Sequence, residues 1–204
     1  WWKQVDAAAE KDQPKTAIQS LRLIRKEAIG SGNATQLLRA LFTEQVMQEE
    51  IAPDSGAVMR QLIETELAKE KRPVERALWL NALGRLYAEK ARNAWRGNDT
   101  ADVRKAHDLL LESVQQTALL GGAQTQHYAT LFAMGRDSKP VYSDDLLSVL
   151  TETLVNAYED NYFRPIKKEE LREVLQRNLD FYQQQGRRRA ALHTEWKLAD
   201  LLEG

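Results

Sequence analysis

Apolar residues recur every three and four positions along most of this chain, the spacing of α-helices that bury one side. Between residues 14 and 29, Ala17, Leu21, Ile24 and Ala28 keep that spacing. Pro14 stands where a first-turn proline is tolerated, and Gly30 stands where a helix can end. Asn33, with Gln36 three residues later, resembles a capping box. Leu37, Leu41, Val46 and Met47 carry the helix behind it to about residue 51. Pro53 stops that helix, and Asp54 or Ser55 caps another that runs to about residue 71. Pro73 opens the next, with Ala77, Leu80, Leu83, Tyr87 and Ala91 on one side.

Residues 96 to 100 read as a loop ending in a cap. Val103, Ala106, Leu110 and Val114 predict one helix over 101–120, ended by Gly121-Gly122. Residues 123 to 133 suit a short helix. Residues 134 to 142, with Gly135, Asp137, Ser138 and Pro140, read as a loop. Ser143 then caps a helix whose first carboxylates, Asp144 and Asp145, face the positive end of the macrodipole. Leu147, Leu150, Leu154 and Ala157 form its buried stripe. After a break at residues 160–165, Leu171, Leu175, Leu179 and Tyr182 define another helix. Gly186 turns the chain into a last one, with Leu192, Trp196, Ala199 and Leu202 as its stripe.

These signals predict an all-α protein of eight or nine helices and no strand. Connections are mostly short, so sequential helices are expected to pack antiparallel. The best pairs are 14–30 with 34–51, 73–95 with 101–120, and 167–185 with 187–203. They share no strict period, so the expected architecture is an irregular array of helical hairpins, a tetratricopeptide-like superhelix in one domain over 1–204. Leu83, Gly84 and Tyr87 match the Leu-Gly-x-x-Tyr spacing of a tetratricopeptide first helix, and Ala106 and Leu110 suit the second. Trp79 stands one residue early for that repeat, the loop to Ala106 is too long, and the end-of-repeat proline is missing.

Composition narrows the function classes. Hydrophobic residues make up 43% and charged residues 29%, enough to bury a core and too apolar for disorder. With 29 basic against 30 acidic residues, the charge balance argues against a protein that neutralises phosphates or a polybasic membrane module. No apolar run approaches the ~20 residues that span a bilayer. The start at Trp1-Trp2-Lys3 has no methionine, leader or cleavage site, and reads as an artificial boundary or a processed end. Trp1 and Trp2 are expected to pack on the first hairpin; the alternative is an interface with a missing segment.

Candidate chemistry is sparse. There is no cysteine, hence no thiol nucleophile and no disulfide. The three histidines, His107, His127 and His193, have no metal-ligand spacing, and read as surface or helix-end residues. Gly30-Ser31-Gly32-Asn33 lacks the preceding strand and third glycine of a dinucleotide loop, and reads as a turn between helices. Asp144 and Asp145 pair as acid–base candidates do, but capping already accounts for them. Arg187-Arg188-Arg189 is the densest basic cluster, at a helix N-terminus where cations are unfavourable. It is either a solvated turn or the mark of an acidic partner or bound anion. Trp79, Tyr87, Trp95, Tyr128 and Tyr142 either fill the core, the default at helical spacing, or line a groove. No enzyme, cofactor or metal site is expected, and no nucleic-acid partner.

Residues 135 to 150 read Gly-Arg-Asp-Ser-Lys-Pro-Val-Tyr-Ser-Asp-Asp-Leu-Leu-Ser-Val-Leu. This resembles a segment in the N-terminal helical region of large α2-macroglobulin-like proteins of Bacteroidetes. The matching positions are Gly135, Asp137, Ser138, Tyr142, Asp145, Leu146 and Leu147; at Asp144 the family more often has histidine. The opening, Trp2-Lys3-x-Val5 followed by Lys11-Asp12-x-Pro14-Lys15-x-Ala17, is similar to the family's first hairpin. The resemblance implies the helical N-terminal piece of a much larger envelope protein, with macroglobulin β-sandwich domains downstream of Gly204. The parent would be a secreted or membrane-anchored protease trap facing the periplasm. Its thioester, where present, would need a downstream cysteine. This piece would be a non-catalytic module that docks on those β-sandwich domains or on an envelope partner, without itself entering the membrane. The rival reading is a freestanding tetratricopeptide-like adaptor that binds peptides or a protein partner.

Overall fold

The structure, a computed structural model, describes residues 1–51, 56–93, 100–128, 131, 145–159 and 168–203. The described residues form ten α-helices and one 3-10 turn, with no strand. In chain order the helices are α1 (Trp2–Ala9), α2 (Pro14–Ser31), α3 (Ala34–Ile51), α4 (Gly56–Lys69), α5 (Pro73–Asn93), α6 (Thr100–Ser113), α7 (Thr117–Gly122), α8 (Leu146–Glu159), α9 (Glu169–Gln184) and α10 (Arg188–Glu203). The 3-10 turn covers Thr125–Tyr128. The fold class expected from periodicity is the observed one, and consecutive helices pair as hairpins: α2 with α3, α5 with α6, and α9 with α10. The chain divides into two compact units, one holding α1 to α4 and the other α5 to α10.

In the first unit, Val5, Ala8, Ala17, Leu21, Ile24 and Ala40 form a common core, with Trp2 and Met47 packed against it. Trp2 therefore belongs to the first hairpin, while Trp1 is 56% exposed. The Trp2 indole donates to Gln36 Oε1 (2.8 Å), and the Arg39 guanidinium lies 3.9 Å from the ring centroid. Pro14 opens α2 as expected, but the helix passes through Gly30 and ends at Gly32. Gly32 has φ +64°, the left-handed conformation that costs glycine least. There the Gly32 amide reaches Ile29 O and the Asn33 amide reaches Ala28 O, the paired bonds of a Schellman end. This also explains why only half of the capping box forms. Asn33 Oδ1 accepts from the Gln36 amide (3.0 Å), but the Asn33 amide is already committed to Ala28, which leaves the Gln36 side chain to take Trp2. Glu44, 5% exposed, ties α2 to α3 by accepting from Arg25 Nη1 (2.7 Å) and from Gln48 Nε2 (3.1 Å).

In the second unit α8 packs against α5, α6, α7 and α9, so it buries a broad face: Leu146, Leu147, Leu150, Thr151, Leu154, Val155 and Ala157. Several polar side chains hydrogen-bond across this core. Asn81 Nδ2 reaches Leu150 O (3.4 Å), and Asn178 Nδ2 donates to Thr151 Oγ1 (2.9 Å). Two expectations need correction here. The helix over 101–120 is two helices, because the chain turns at residues 114–116. Val114 and Gln115 bond to carbonyls three residues back, Val114 is fully buried, and Arg177 Nη2 caps Val114 O (3.0 Å). The stripe expected on the last helix is the wrong one. Ala191, Thr194 and Leu198 are buried, whereas Leu192 (69%), Trp196 (60%) and Ala199 are exposed. No helix among the described residues is long and apolar enough to cross a membrane.

Candidate functional site

The tetratricopeptide-like residues occupy the α5–α6 contact. Leu83 and Tyr87 are buried, and a Cβ placed on Gly84 would stand 2.8 Å from Leu110 and 3.2 Å from the Ala106 carbonyl. Glycine is thus what lets the two helices approach so closely. Trp79 is also buried, so these aromatics fill core as their helical spacing suggested. Tyr87 keeps its polar tip near the surface, where its hydroxyl accepts from Lys105 Nζ (2.7 Å). Trp95 and Tyr142 lie outside the described residues.

Of the seven residues that match the macroglobulin-like segment, Gly135, Asp137, Ser138 and Tyr142 also lie outside the described residues. The other three meet at the start of α8. Leu146 and Leu147 are fully buried, and the Leu146 amide donates to Ala123 O (3.0 Å). Asp145 is 3% exposed, and it caps α8: its Oδ1 accepts from the Ser148 amide (2.9 Å). Capping was expected near here but assigned to Ser143, which lies outside the described residues, as does Asp144.

Asp145 does more than cap. Its Oδ1 accepts from the Tyr182 hydroxyl (2.9 Å), and its Oδ2 accepts from Arg187 Nη1 (3.1 Å). Arg187 Nη1 also reaches Gly121 O (2.6 Å), and Ser148 Oγ lies 2.6 Å from the Tyr182 oxygen. One carboxylate therefore joins the ends of α7, α8, α9 and α10. Burial raises the Tyr182 pKa; the Ser148 hydrogen bond opposes that, and the Asp145 carboxylate adds to it. The phenol stays protonated and donates to Asp145, so the Ser148 hydroxyl donates to the phenol oxygen. The basic cluster at 187–189 splits accordingly. Arg187 finds its acidic partner within the chain, and Arg188 and Arg189 are exposed.

His107 corrects the surface reading of the histidines, being 3% exposed. Its Nε2 lies 2.6 Å from the Tyr158 hydroxyl and 3.4 Å from Glu170 Oε2, which links α6 to α8 and α9. Burial raises the Tyr158 pKa, and the nearby Glu170 and Glu169 charges add to the shift. His107 Nδ1 lies 3.5 Å from Asp108 Oδ1. Sequence spacing gave no sign of this triad, because its members come from three helices. His127 and His193 are exposed.

One groove of about 490 Å³ runs between α7 and α9 past Thr117, Glu173, Arg177 and Asp180. Another, of about 550 Å³, follows α6 past Arg104, Lys105 and Asp108. Burial lowers the Arg177 pKa, with the Glu173 charge opposing, but its guanidinium is committed to Val114 O and Gln115 Oε1. Among the described residues no three His, Asp or Glu side chains converge as metal ligands would. No protein-family profile, curated protein or solved structure matches the chain.

Proposed function

We propose that this chain is a non-catalytic structural and interaction module of an α2-macroglobulin-like envelope protein that traps proteases. The observation that carries the reading is the role of the segment resembling that family. Asp145, Leu146 and Leu147 serve architecture: a shared cap and two core side chains that hold four helix ends together. A segment used in this way suits a scaffold that presents surfaces to the rest of a large polypeptide, through one face of the helical array. Its partners would be downstream β-sandwich domains or another envelope protein, in the periplasm or at the cell envelope. An antibody raised against the chain tests this in fractionated native cells. The expected band is far larger than 23.3 kDa and lies in the envelope fraction. A band near that mass in the cytosol would sink the reading. So would a parent protein that folds, localises and traps proteases unchanged after residues 1–204 are deleted.

A second reading, a freestanding tetratricopeptide-like adaptor, draws on the close α5–α6 approach at Gly84. A peptide-library screen with no binder would remove it.

A further inference from the structure

The outward face of α10 is apolar at its centre. Leu192 and Trp196 stand one turn apart on it, 69% and 60% exposed, with His193 packed against the Trp196 ring at 6.3 Å between centroids. The ends of the same face are charged. Arg188 and Arg189 are exposed at the start of the helix, and Asp200 is exposed near its end.

These positions are disposed evenly about Thr194. Leu192 and Trp196 each lie two residues from it, and Arg188 and Asp200 each lie six residues from it. At 1.5 Å per residue, each charge sits roughly 9 Å along the axis from the midpoint. A face with this symmetry complements its own copy when the two helices run antiparallel. Leu192 then meets Trp196 of the other copy, and each Arg188 meets an Asp200. A parallel arrangement would set arginine on arginine and is excluded by charge.

We propose that α10 pairs antiparallel with α10 of a second copy of this chain, about a two-fold axis level with Thr194. Such an interface is isologous and closed. It also relieves a cost visible in the single chain. Arg188 lies at the positive end of its own helix, and in the pair it faces the negative end of the partner helix. The inference does not depend on the family reading, since it uses only the face of one helix.

A contact built on one helix from each copy is small, and small interfaces bind weakly, with Kd on the order of tens of µM. Sedimentation equilibrium of the full chain between about 5 and 200 µM tests the pairing. The average mass is expected to rise from 23.3 kDa toward twice that value, with Kd increasing in high salt. Trp196→Ala is expected to weaken the pairing at least ~10-fold, since a central tryptophan is the usual anchor of such contacts. Asp200→Arg alone should weaken it roughly 5-fold, and adding Arg188→Asp should restore it. All these positions are solvent-exposed, and helicity read by circular dichroism serves as the folding control. A mass of 23.3 kDa at every concentration overturns the proposal. So does a dimer that ignores Trp196→Ala, or a double charge reversal that stays as weak as the single one. Separate tests of the proposed function leave these outcomes untouched.

Discussion

Replacing Asp145 by alanine gives the sharpest test of how the second unit is held together. The change removes the cap on α8, worth about 1 kcal/mol. It also takes the acceptor from the Tyr182 hydroxyl, which is buried on a side chain 1% exposed. Leaving such a group unpaired costs about 1–3 kcal/mol, and the lower end applies because Ser148 Oγ remains 2.6 Å away. The lost Arg187 pair adds less than ~1 kcal/mol, since that arginine side chain is 40% exposed and keeps Gly121 O. The expected loss is about 2–3 kcal/mol. Tyr182→Phe should cost about 1 kcal/mol, because Asp145 keeps the Ser148 amide and Arg187 as partners. The two substitutions delete one shared hydrogen bond, so the double variant should fall short of additivity by about 1 kcal/mol. Because two compact units can unfold separately, a global melting curve is a poor readout. Amide hydrogen exchange in α8 is better, with the Ser148 amide as the local probe of the cap. A loss below ~0.5 kcal/mol for Asp145→Ala, or full additivity, would refute the view of Asp145 as a shared cap.

Three further outcomes follow from particular contacts. Gly84→Ala should destabilise by about 1–2 kcal/mol, since its Cβ would push into Leu110 and the Ala106 carbonyl and outweigh the helix-propensity gain. Gly30→Ala, in open space within α2, should instead stabilise by roughly 0.5–1 kcal/mol, and amide hydrogen exchange in α2 and in α5 should shift in opposite directions for the two variants. Glu70 should titrate near pH 2 rather than 4.5, because the Arg72 side chain bonds its carboxylate; Arg72→Ala should return it toward 4.5 by carboxyl NMR. Its folded pKa is depressed, so its contribution is present above pH 4.5 and is lost as pH falls toward 2. Tyr158 and Tyr182 have folded pKa values raised above 10, so their contribution is present below pH 10 and lost as pH rises beyond it. Ultraviolet titration should show these two phenols ionising only as the chain unfolds.

Periodicity sufficed to locate the paired helices because apolar residues recur at helical spacing in each, and proline or glycine marks several of their boundaries. Pro14 and Pro73 fall where first-turn prolines belong, and Ala77 to Ala91 is buried as spaced. Three features escaped for different physical reasons. Gly30 and Gly32 are both plausible helix ends by residue type, and only the backbone conformation selects Gly32. The turn after Ser113 is marked by no proline or glycine. It is held by Arg177, more than sixty residues further along, which local spacing cannot anticipate. The Asp145 and His107 clusters likewise join residues from separate helices, and alone Asp145 reads as a cap, His107 as a surface residue and Tyr182 as part of a core stripe.

The last helix shows why such an error can itself be informative. α10 carries two stripes, one at Ala191, Thr194 and Leu198 and one at Leu192 and Trp196. A reading by bulk selects the stripe that holds the tryptophan as core. Within the chain the Ala191 stripe turns inward, and the Trp196 stripe is left in water. Large apolar side chains one turn apart on a solvated face lower stability and solubility unless something covers them. Charges of opposite sign at the two ends of that face narrow the possible covers, because an antiparallel copy satisfies both ends at once. The mismatch between apolar size and burial on α10 thus identifies a surface that periodicity alone would have assigned to the interior.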